Sequence, residues 1–301
     1  MKTYKKGKFS SIYDSSKNIG IADIIKWKLF QKPKKHTPVP LDLETDLDTL
    51  HQTNDFICWL SHASFLIQLG GKRILLDPVF NDIPFYKRKI PIPYTVKALG
   101  NIDYVLISHT HYDHCDKTSL RALVSKTPTV IVPLKMTSLM NKIMPNTKIL
   151  ELDWYKHYQD GDLKISFVPA RHWGRRGLFD KNTVLWGGYI LQYKHQSIYF
   201  SGDTSFGSHF EEIAEHYNID IALLPIGAYA PEFIMKENHM NPHEAFDAFG
   251  LLKAKRMIPM HYGTYKLTDE PLDEPLSWMQ KIASKHPDKV CFLKAGEVLK
   301  V

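Results

Sequence analysis

The sequence predicts an α/β (α+β) chain in which β-sheets pack together with helices outside them, and three observations carry that prediction. Short apolar runs rich in Val, Ile and Leu dominate the front of the chain, and runs of that kind read as buried strands. Further along, such runs alternate with stretches of helical period, the order expected of sheets covered by helices. Hydrophobic residues make up 44% of the 301 residues and charged ones 24%. That is ordinary for a full core, in one large domain or two smaller ones.

Residues 1–55 read as a basic segment followed by a Pro-rich linker, with Pro33, Pro38 and Pro40 marking the linker. Two runs, Lys2 to Lys8 and Lys26 to Lys35, hold part of the excess behind the net charge of +7, from 39 basic and 32 acidic residues. Between them the stretch Ile19–Phe30 places Ile21, Ile24, Ile25 and Lys28 at helical spacing. A basic amphipathic helix of this kind can lie on anionic lipid, so peripheral membrane contact is one expected use of the segment. The commoner arrangement packs the apolar stripe on the domain and leaves the lysines in water. Nucleic acid is not an expected partner, because the charge excess is modest and no binding motif accompanies it. The basic start lacks the apolar core of a signal peptide, and no apolar stretch reaches the roughly eighteen residues a membrane span needs. A cytoplasmic location, peripheral to the membrane at most, is the expectation.

Residues 56–301 read as the folded domain. Phe56–Leu69 and Lys72–Pro78 flank Gly70-Gly71 and predict a β-hairpin. The Pro-rich stretch Ile83–Tyr94 lacks periodicity and predicts a long loop, of the sort that is often functional. Strands are predicted at Tyr104–Ser108, Thr129–Pro133, Leu163–Pro169, Val184–Tyr193, Ser197–Ser201, Ile221–Pro225 and Arg256–Met260. A closing pair, Val290–Leu293 and Val298–Val301, is expected to turn at Ala295-Gly296. Helical patterns fall at Lys117–Ser125, Met136–Met144, His209–Tyr217, Pro242–Leu252 and Pro275–His286. Three widely spaced cysteines, Cys58, Cys115 and Cys291, imply no disulfide framework. Cys115 reads as a small packing residue beside a polar cluster.

That cluster, HTHYDH at 109–114, begins where the apolar run Tyr104–Ile107 should leave its sheet. Three imidazoles and a carboxylate packed together repel when protonated and need partners when neutral. Divalent cations solve the problem, since neutral imidazole nitrogen and carboxylate oxygen are good ligands. The same setting, an apolar run ending in a polar ligand, recurs at His172, at Asp203 and at His261. Gly202 allows a tight turn before Asp203. Asp77, ahead of Pro78 and far upstream, reads as a carboxylate supporting the ligands.

With His172, Asp203 and His261 following in that order, HTHYDH resembles the metallo-β-lactamase superfamily. The resemblance implies a four-layer αβ/βα sandwich with a two-metal site at the open edge of its sheets. It implies His109, His111 and His172 on one metal, Asp113, His114 and His261 on the other, and Asp203 bridging both. A mixed nitrogen and oxygen site suits Zn2+, with Mn2+ or Fe as alternatives. Two cations about 3.5–4 Å apart lower the pKa of a shared water toward neutrality and hold the electrophile. No cysteine takes the place of Asp203, unlike the ligand set of zinc β-lactamases.

Longer stretches narrow the resemblance: WLSHASFLI from Trp59, LDPVF from Leu76, RHWGRR from Arg171, LWG from Leu185, PIGAY from Pro225 and HYGT from His261. They are similar to the N-acylphosphatidylethanolamine-hydrolysing phospholipase D group and its bacterial relatives, from about Phe56 to the C-terminus. That similarity implies a zinc-dependent phosphodiesterase releasing phosphatidic acid and an N-acylethanolamine, with hydroxide shared by the metals attacking phosphorus. Asp113 and His239 are the residues given a catalytic part. His239 lies in KENHMNPHEA (236–245), matching the group's His-containing loop, although Asn241 stands where the group carries an acid. Arg171, Arg175 and Arg176 could clamp a phosphodiester, Tyr229 and Phe233 could line a nonpolar pocket, and His62 could orient a ligand. Two other readings share these residues: a lactonase acting on a sugar-phosphate or related lactone, and a non-catalytic metal-binding or membrane-associated protein.

Overall fold

The computed structural model describes residues 2–13, 27, 29, 42–51, 54–126 and 128–301. A hairpin, β1 (Lys2–Lys5) and β2 (Lys8–Ser11), and a short helix α1 (Leu47–Leu50) precede the body. There follow β3 (Phe56–Trp59), β4 (Phe65–Leu69), β5 (Lys72–Leu76), β6 (Tyr104–Leu106), α2 (Lys117–Ala122), β7 (Thr129–Pro133), α3 (Thr137–Ile143) and β8 (Ile149–Leu152). The later part runs β9 (His157–Asp160), β10 (Leu163–Val168), β11 (Gly188–Tyr193), β12 (Gln196–Phe200), α4 (His209–His216), β13 (Ile221–Pro225), α5 (Glu232–Met235), α6 (Pro242–Leu251), β14 (Arg256–Met260), α7 (Glu274–Ala283) and β15 (Val298–Lys300).

Two sheets form the frame, one ordered β15-β3-β4-β5-β6-β7-β8 and the other β14-β13-β12-β11-β10-β9. The period-two alternation of strand side chains decides what lies on each face of the first sheet. Ile57, Trp59, Phe65, Ile67, Ile74, Leu76 and Leu106 join one buried cluster with Ile165, Phe167, Leu191 and Phe200 of the second sheet. Their neighbours Phe56, Cys58, Leu66, Leu75, Val105 and Val130 point the other way, against Leu120, Met140 and Ile143 of α2 and α3. Phe210, Ile213, Ala245, Ala248, Met279 and Ala283 bring α4, α6 and α7 to the second sheet. The result is the αβ/βα sandwich expected, and because both faces of the central strands are covered, those strands are continuous apolar runs.

Strand direction gathers the polar ends at one edge. β5, β6 and β7 run parallel, and β3 shares their direction through two antiparallel steps. β12, β13 and β14 are likewise parallel, with β10 aligned to β12 through β11. His62, Asp77, His109, His172, Asp203 and His261 each follow the C-terminal end of one of these strands.

The elements depart from expectation in places with local causes. Phe56–Leu69 is two strands, because Ser61 and His62 take φ of 89° and 53° and turn the chain back. Val184–Gly187 does not join β11; the Leu185 N–H donates to the Leu134 carbonyl and the Gly187 N–H to the Ser108 carbonyl, bridging to the other sheet. Val290–Leu293 and Val298–Val301 do not pair: β15 is antiparallel to β3, while Val290 only bridges Met257. β8 and β9 were not expected, and His157, Tyr158, Gln159 and Asp160 of β9 are too polar for a run that announces a strand. The basic start also holds structure: Phe9 is buried in the inter-sheet cluster, its N–H donates to the Asn182 carbonyl at 2.7 Å, and Tyr13 bonds Glu212. The helix read at Ile19–Phe30 lies outside the described residues apart from Trp27 and Leu29; the Trp27 indole donates to Asp269 at 2.5 Å.

Candidate metal centre

The chain leaves β6 at Leu106 and delivers Ser108, His109, His111, Asp113 and His114 within one turn, closed by the Cys115 N–H donating to the His111 carbonyl at 2.9 Å. Gly202 brings the Asp203 loop against it. Its φ is +59°, and a Cβ there would lie 2.7 Å from the Cβ of Ser108, so only glycine permits this approach.

Donor atoms of His109, His111, His172 and Asp203 lie within 4.8 Å of one another, and so do those of His62, Asp113, His114 and His261. In the first group the His111 Nδ1 sits 2.9 Å from His109 Nε2 and 3.1 Å from His172 Nε2. In the second, His114 Nε2 and His261 Nε2 each lie 3.1 Å from Asp203 Oδ1, and His261 Nε2 lies 3.4 Å from Asp113 Oδ2. Asp203 therefore divides its carboxylate. Its Oδ1 serves the second group, and its Oδ2 lies 3.9 Å from His109 and 3.8 Å from His172.

The surrounding bonds choose which ring nitrogens face inward. Asp77 accepts the Ser108 N–H at its Oδ1 (2.7 Å), and its Oδ2 accepts the Ser108 hydroxyl (2.5 Å) and His114 Nδ1–H (2.7 Å). With its proton committed to Asp77, Ser108 Oγ must accept from His109 Nδ1–H, 2.9 Å away. His172 Nδ1–H donates to the Asn238 carbonyl at 3.0 Å. Three imidazoles thus turn Nε2 into the site, the nitrogen that binds a cation once unprotonated.

Several buried atoms of the site have no conventional partner. His114 Nε2, His261 Nε2 and Asp203 Oδ1 are buried without a hydrogen bond despite their closeness, as are His111 Nε2 and His239 Nδ1. Buried polar atoms are normally satisfied, so this concentration fits a donor set made for cations. Charge arrangement agrees. Burial opposes ionisation of Asp203 and Asp113, yet the neighbouring histidines hold both well below the usual carboxylate range. Burial likewise lowers the imidazoles, taking His111 to about 4 and His109 and His172 well below their usual value. At His261 and His114 the two carboxylates reverse that effect, raising His261 to about 9 and His114 well above its usual value.

His62 lies beside the second group, its Nε2 3.0 Å from Asp113 Oδ2 and its N–H bonded to Thr264 Oγ1 at 2.9 Å. His239 comes to the edge of the site, with Nδ1 3.9 Å from Asp203 Oδ2 and its ring beside those of His172 and His261. The helix that follows is capped by Asn241 rather than His239: the Asn241 side chain accepts the Glu244 N–H while Glu244 accepts the Asn241 N–H. An asparagine serves this cap as well as an aspartate does.

The three arginines have separate placements. Arg171 is paired with Glu237 and donates to the Phe206 carbonyl. Arg176 donates to the carbonyls of Thr110 (3.2 Å) and Cys115 (2.6 Å) and lies 4.3 Å from the centre of the Tyr112 ring, bracing the ligand loop. Arg175 is exposed. Tyr229 donates to Glu274 at 2.7 Å and meets Trp278 edge-on, while Phe233 is 41% exposed. Cys115 is buried in the cluster beneath α2, and burial pushes its thiol up to about 12. Sequence reading passed over Ser108, whose one visible signal is its place between strand and first histidine. It also passed over the Asn238 carbonyl, which has no side-chain signature.

Residues 72–262 match the family described as the beta-lactamase superfamily domain. An N-acyl-phosphatidylethanolamine-hydrolyzing phospholipase D of Caenorhabditis elegans is 32% identical over 292 residues, covering 87% of this chain and 82% of that protein. A UPF0173 metal-dependent hydrolase of Pyrobaculum aerophilum is 30% identical over 249 residues, covering 81% of this chain and 99% of its own. Among solved structures, the metallo hydrolase Igni18 of Ignicoccus hospitalis superposes with a TM-score of 0.66 at 22% identity, covering 83% of this chain and 99% of that one, a likeness of fold.

Proposed function

The chain belongs to the beta-lactamase superfamily of metal-dependent hydrolases, and from that premise we propose that it is a dinuclear phosphodiesterase acting on N-acylphosphatidylethanolamine-like phospholipids. The observation that carries the proposal is the division of Asp203, whose two oxygens face two separate groups of donors. His109, His111, His172 and Asp203 would hold one cation, and Asp113, His114, His261 and Asp203 the other, with zinc the metal that best suits such donors. When bound, such a pair supplies concentrated positive charge at the reacting phosphorus and lowers the pKa of water there.

The chain's own residues divide the remaining work. Asp77 and Ser108 keep Nε2 of His114 and His109 turned inward. His62 holds the outer face of Asp113. His239, with an unpartnered Nδ1 at the edge of the site, bonds a phosphoryl oxygen or passes a proton to the departing N-acylethanolamine oxygen. Arg175 is the exposed cation available to an anionic headgroup, whereas Arg171 and Arg176 act through the loops they brace. Phe233 and Tyr229 would border the apolar part of the substrate.

The similarity to the C. elegans phospholipase supports the choice of substrate. The test is incubation of zinc-loaded protein with an N-acylphosphatidylethanolamine in mixed micelles, with phosphatidic acid and N-acylethanolamine read by mass spectrometry. Both products should form, and should vanish in Asp203→Asn protein that still folds. Turnover of a sugar-phosphate lactone with none of the phospholipid would refute the proposal.

A further inference from the structure

Beside the metal centre, the loop 173–181 is built inside out. Its apolar side chains Leu178 and Phe179 stand in water, 78% and 90% exposed. The backbone beneath them is tied down. The Asp180 carboxylate accepts the Arg176 N–H (3.1 Å) and Gly177 N–H (2.7 Å), and the Asp180 carbonyl accepts the Thr183 N–H and hydroxyl. Arg175 donates to the carbonyls of Gly177 (2.8 Å) and Leu178 (3.3 Å). At the base, the Asn182 N–H donates to the Gly174 carbonyl at 2.7 Å. Bonding part of the tip's backbone in this way lowers the cost of taking it out of water.

The loop is also fastened to the metal centre. Tyr112 donates to the Arg176 carbonyl at 3.0 Å, and the Trp173 ring sits edge-on to His111 with centroids 4.5 Å apart. Its charge is one-sided: from 173 to 181 Arg175, Arg176 and Lys181 stand against a single acid, Asp180. Arg175 and Lys181 are exposed on either side of the apolar pair.

We propose that Leu178 and Phe179 insert into an anionic lipid surface, with Arg175 and Lys181 at headgroup level, and so hold the mouth of the metal centre against the bilayer. Apolar side chains flanked by cations are the pattern that binds such surfaces. The proposal rests on the phospholipid reading of the site, since a water-soluble substrate gives this surface no task.

The test is co-sedimentation of the full chain with phosphatidylcholine vesicles, with and without phosphatidylglycerol. Alongside runs Leu178→Ser/Phe179→Ser protein, with thermal unfolding as the check on folding. The unchanged protein should bind phosphatidylglycerol-containing vesicles more tightly than neutral ones, and the double variant should bind them at least roughly tenfold more weakly. Hydrolysis of soluble bis(4-nitrophenyl) phosphate by the double variant should be unchanged. Equal vesicle binding by the two proteins, or no preference for anionic vesicles, would overturn the proposal. Loop-dependent binding without phospholipid hydrolysis would uphold the docking surface and sink the substrate reading. Hydrolysis of detergent-dispersed phospholipid with loop-independent vesicle binding would do the reverse.

Discussion

Replacing Asp77 by Asn changes one atom in the interior and should weaken both halves of the metal centre. The Asn oxygen can still accept the Ser108 N–H that Oδ1 accepts at 2.7 Å. The other position, where Oδ2 accepts the Ser108 hydroxyl and His114 Nδ1–H, becomes an NH2 group facing an N–H. His114 relieves that clash by moving its proton to Nε2, the atom the cation needs. Ser108, no longer obliged to donate to Asp77, can donate to His109 Nδ1 and shift that tautomer as well. Each charge-assisted bond lost is worth about 1.5–3 kcal/mol, or roughly 10- to 150-fold in a binding constant, in line with the loss of about 10–100-fold typical when an orienting partner is removed. The assay is zinc affinity by competition with a chromogenic chelator, resolved into two sites, with thermal unfolding of the chelator-stripped protein as control. Asp77→Asn should weaken both sites, whereas Ser108→Ala, which removes the acceptor of His109 Nδ1–H and leaves the Asp77–His114 bond in place, should weaken one. Two unchanged affinities in folded Asp77→Asn protein would refute the tautomer argument.

Two further outcomes follow from the same geometry. His261 is raised to about 9 from a usual value of 6.5, so in chelator-stripped protein its charge stabilises the fold fully below pH 6.5, an effect lost as pH climbs through 9. Cation uptake must displace that proton, and zinc affinity should rise between pH 6.5 and 9 by about one decade per unit for each proton displaced; a flat titration would contradict the assignment. Gly202→Ala forces a Cβ to 2.7 Å from Ser108 at a φ of +59°, so the melting temperature should fall by an amount equivalent to roughly 1–3 kcal/mol, with loss of metal affinity. Retention of both would mean that the close approach of the two loops does not matter.

Much of the frame was legible because burial on both faces turns central strands into continuous apolar runs, and β5, β7, β13 and β14 fall within a residue or two of where such runs stand. β8, the short run ILEL, was missed, and other elements escaped because they lack an apolar signal. β9 is polar, and the N-terminal hairpin looks like a charged tail until Phe9 and Tyr13 are seen against the body. β15 was expected to fold back on Val290–Leu293 because adjacency in sequence favours hairpins; it pairs instead with β3, some 240 residues away, where it covers a strand otherwise left unpaired on that side.

By itself the sequence named the candidate donors. Histidine and aspartate at the ends of apolar runs have one economical use, and parallel strands deliver such ends to one edge. Only tertiary structure decided how those donors share the work. The two-sided use of Asp203, the reach of Asp77 through Ser108 to His109, and the separate placements of Arg171, Arg175 and Arg176 all depend on contacts between distant segments. Residue type reports what an atom can bond. Which partner it meets is set by register and packing across the two sheets, and that information exists only once the chain has folded.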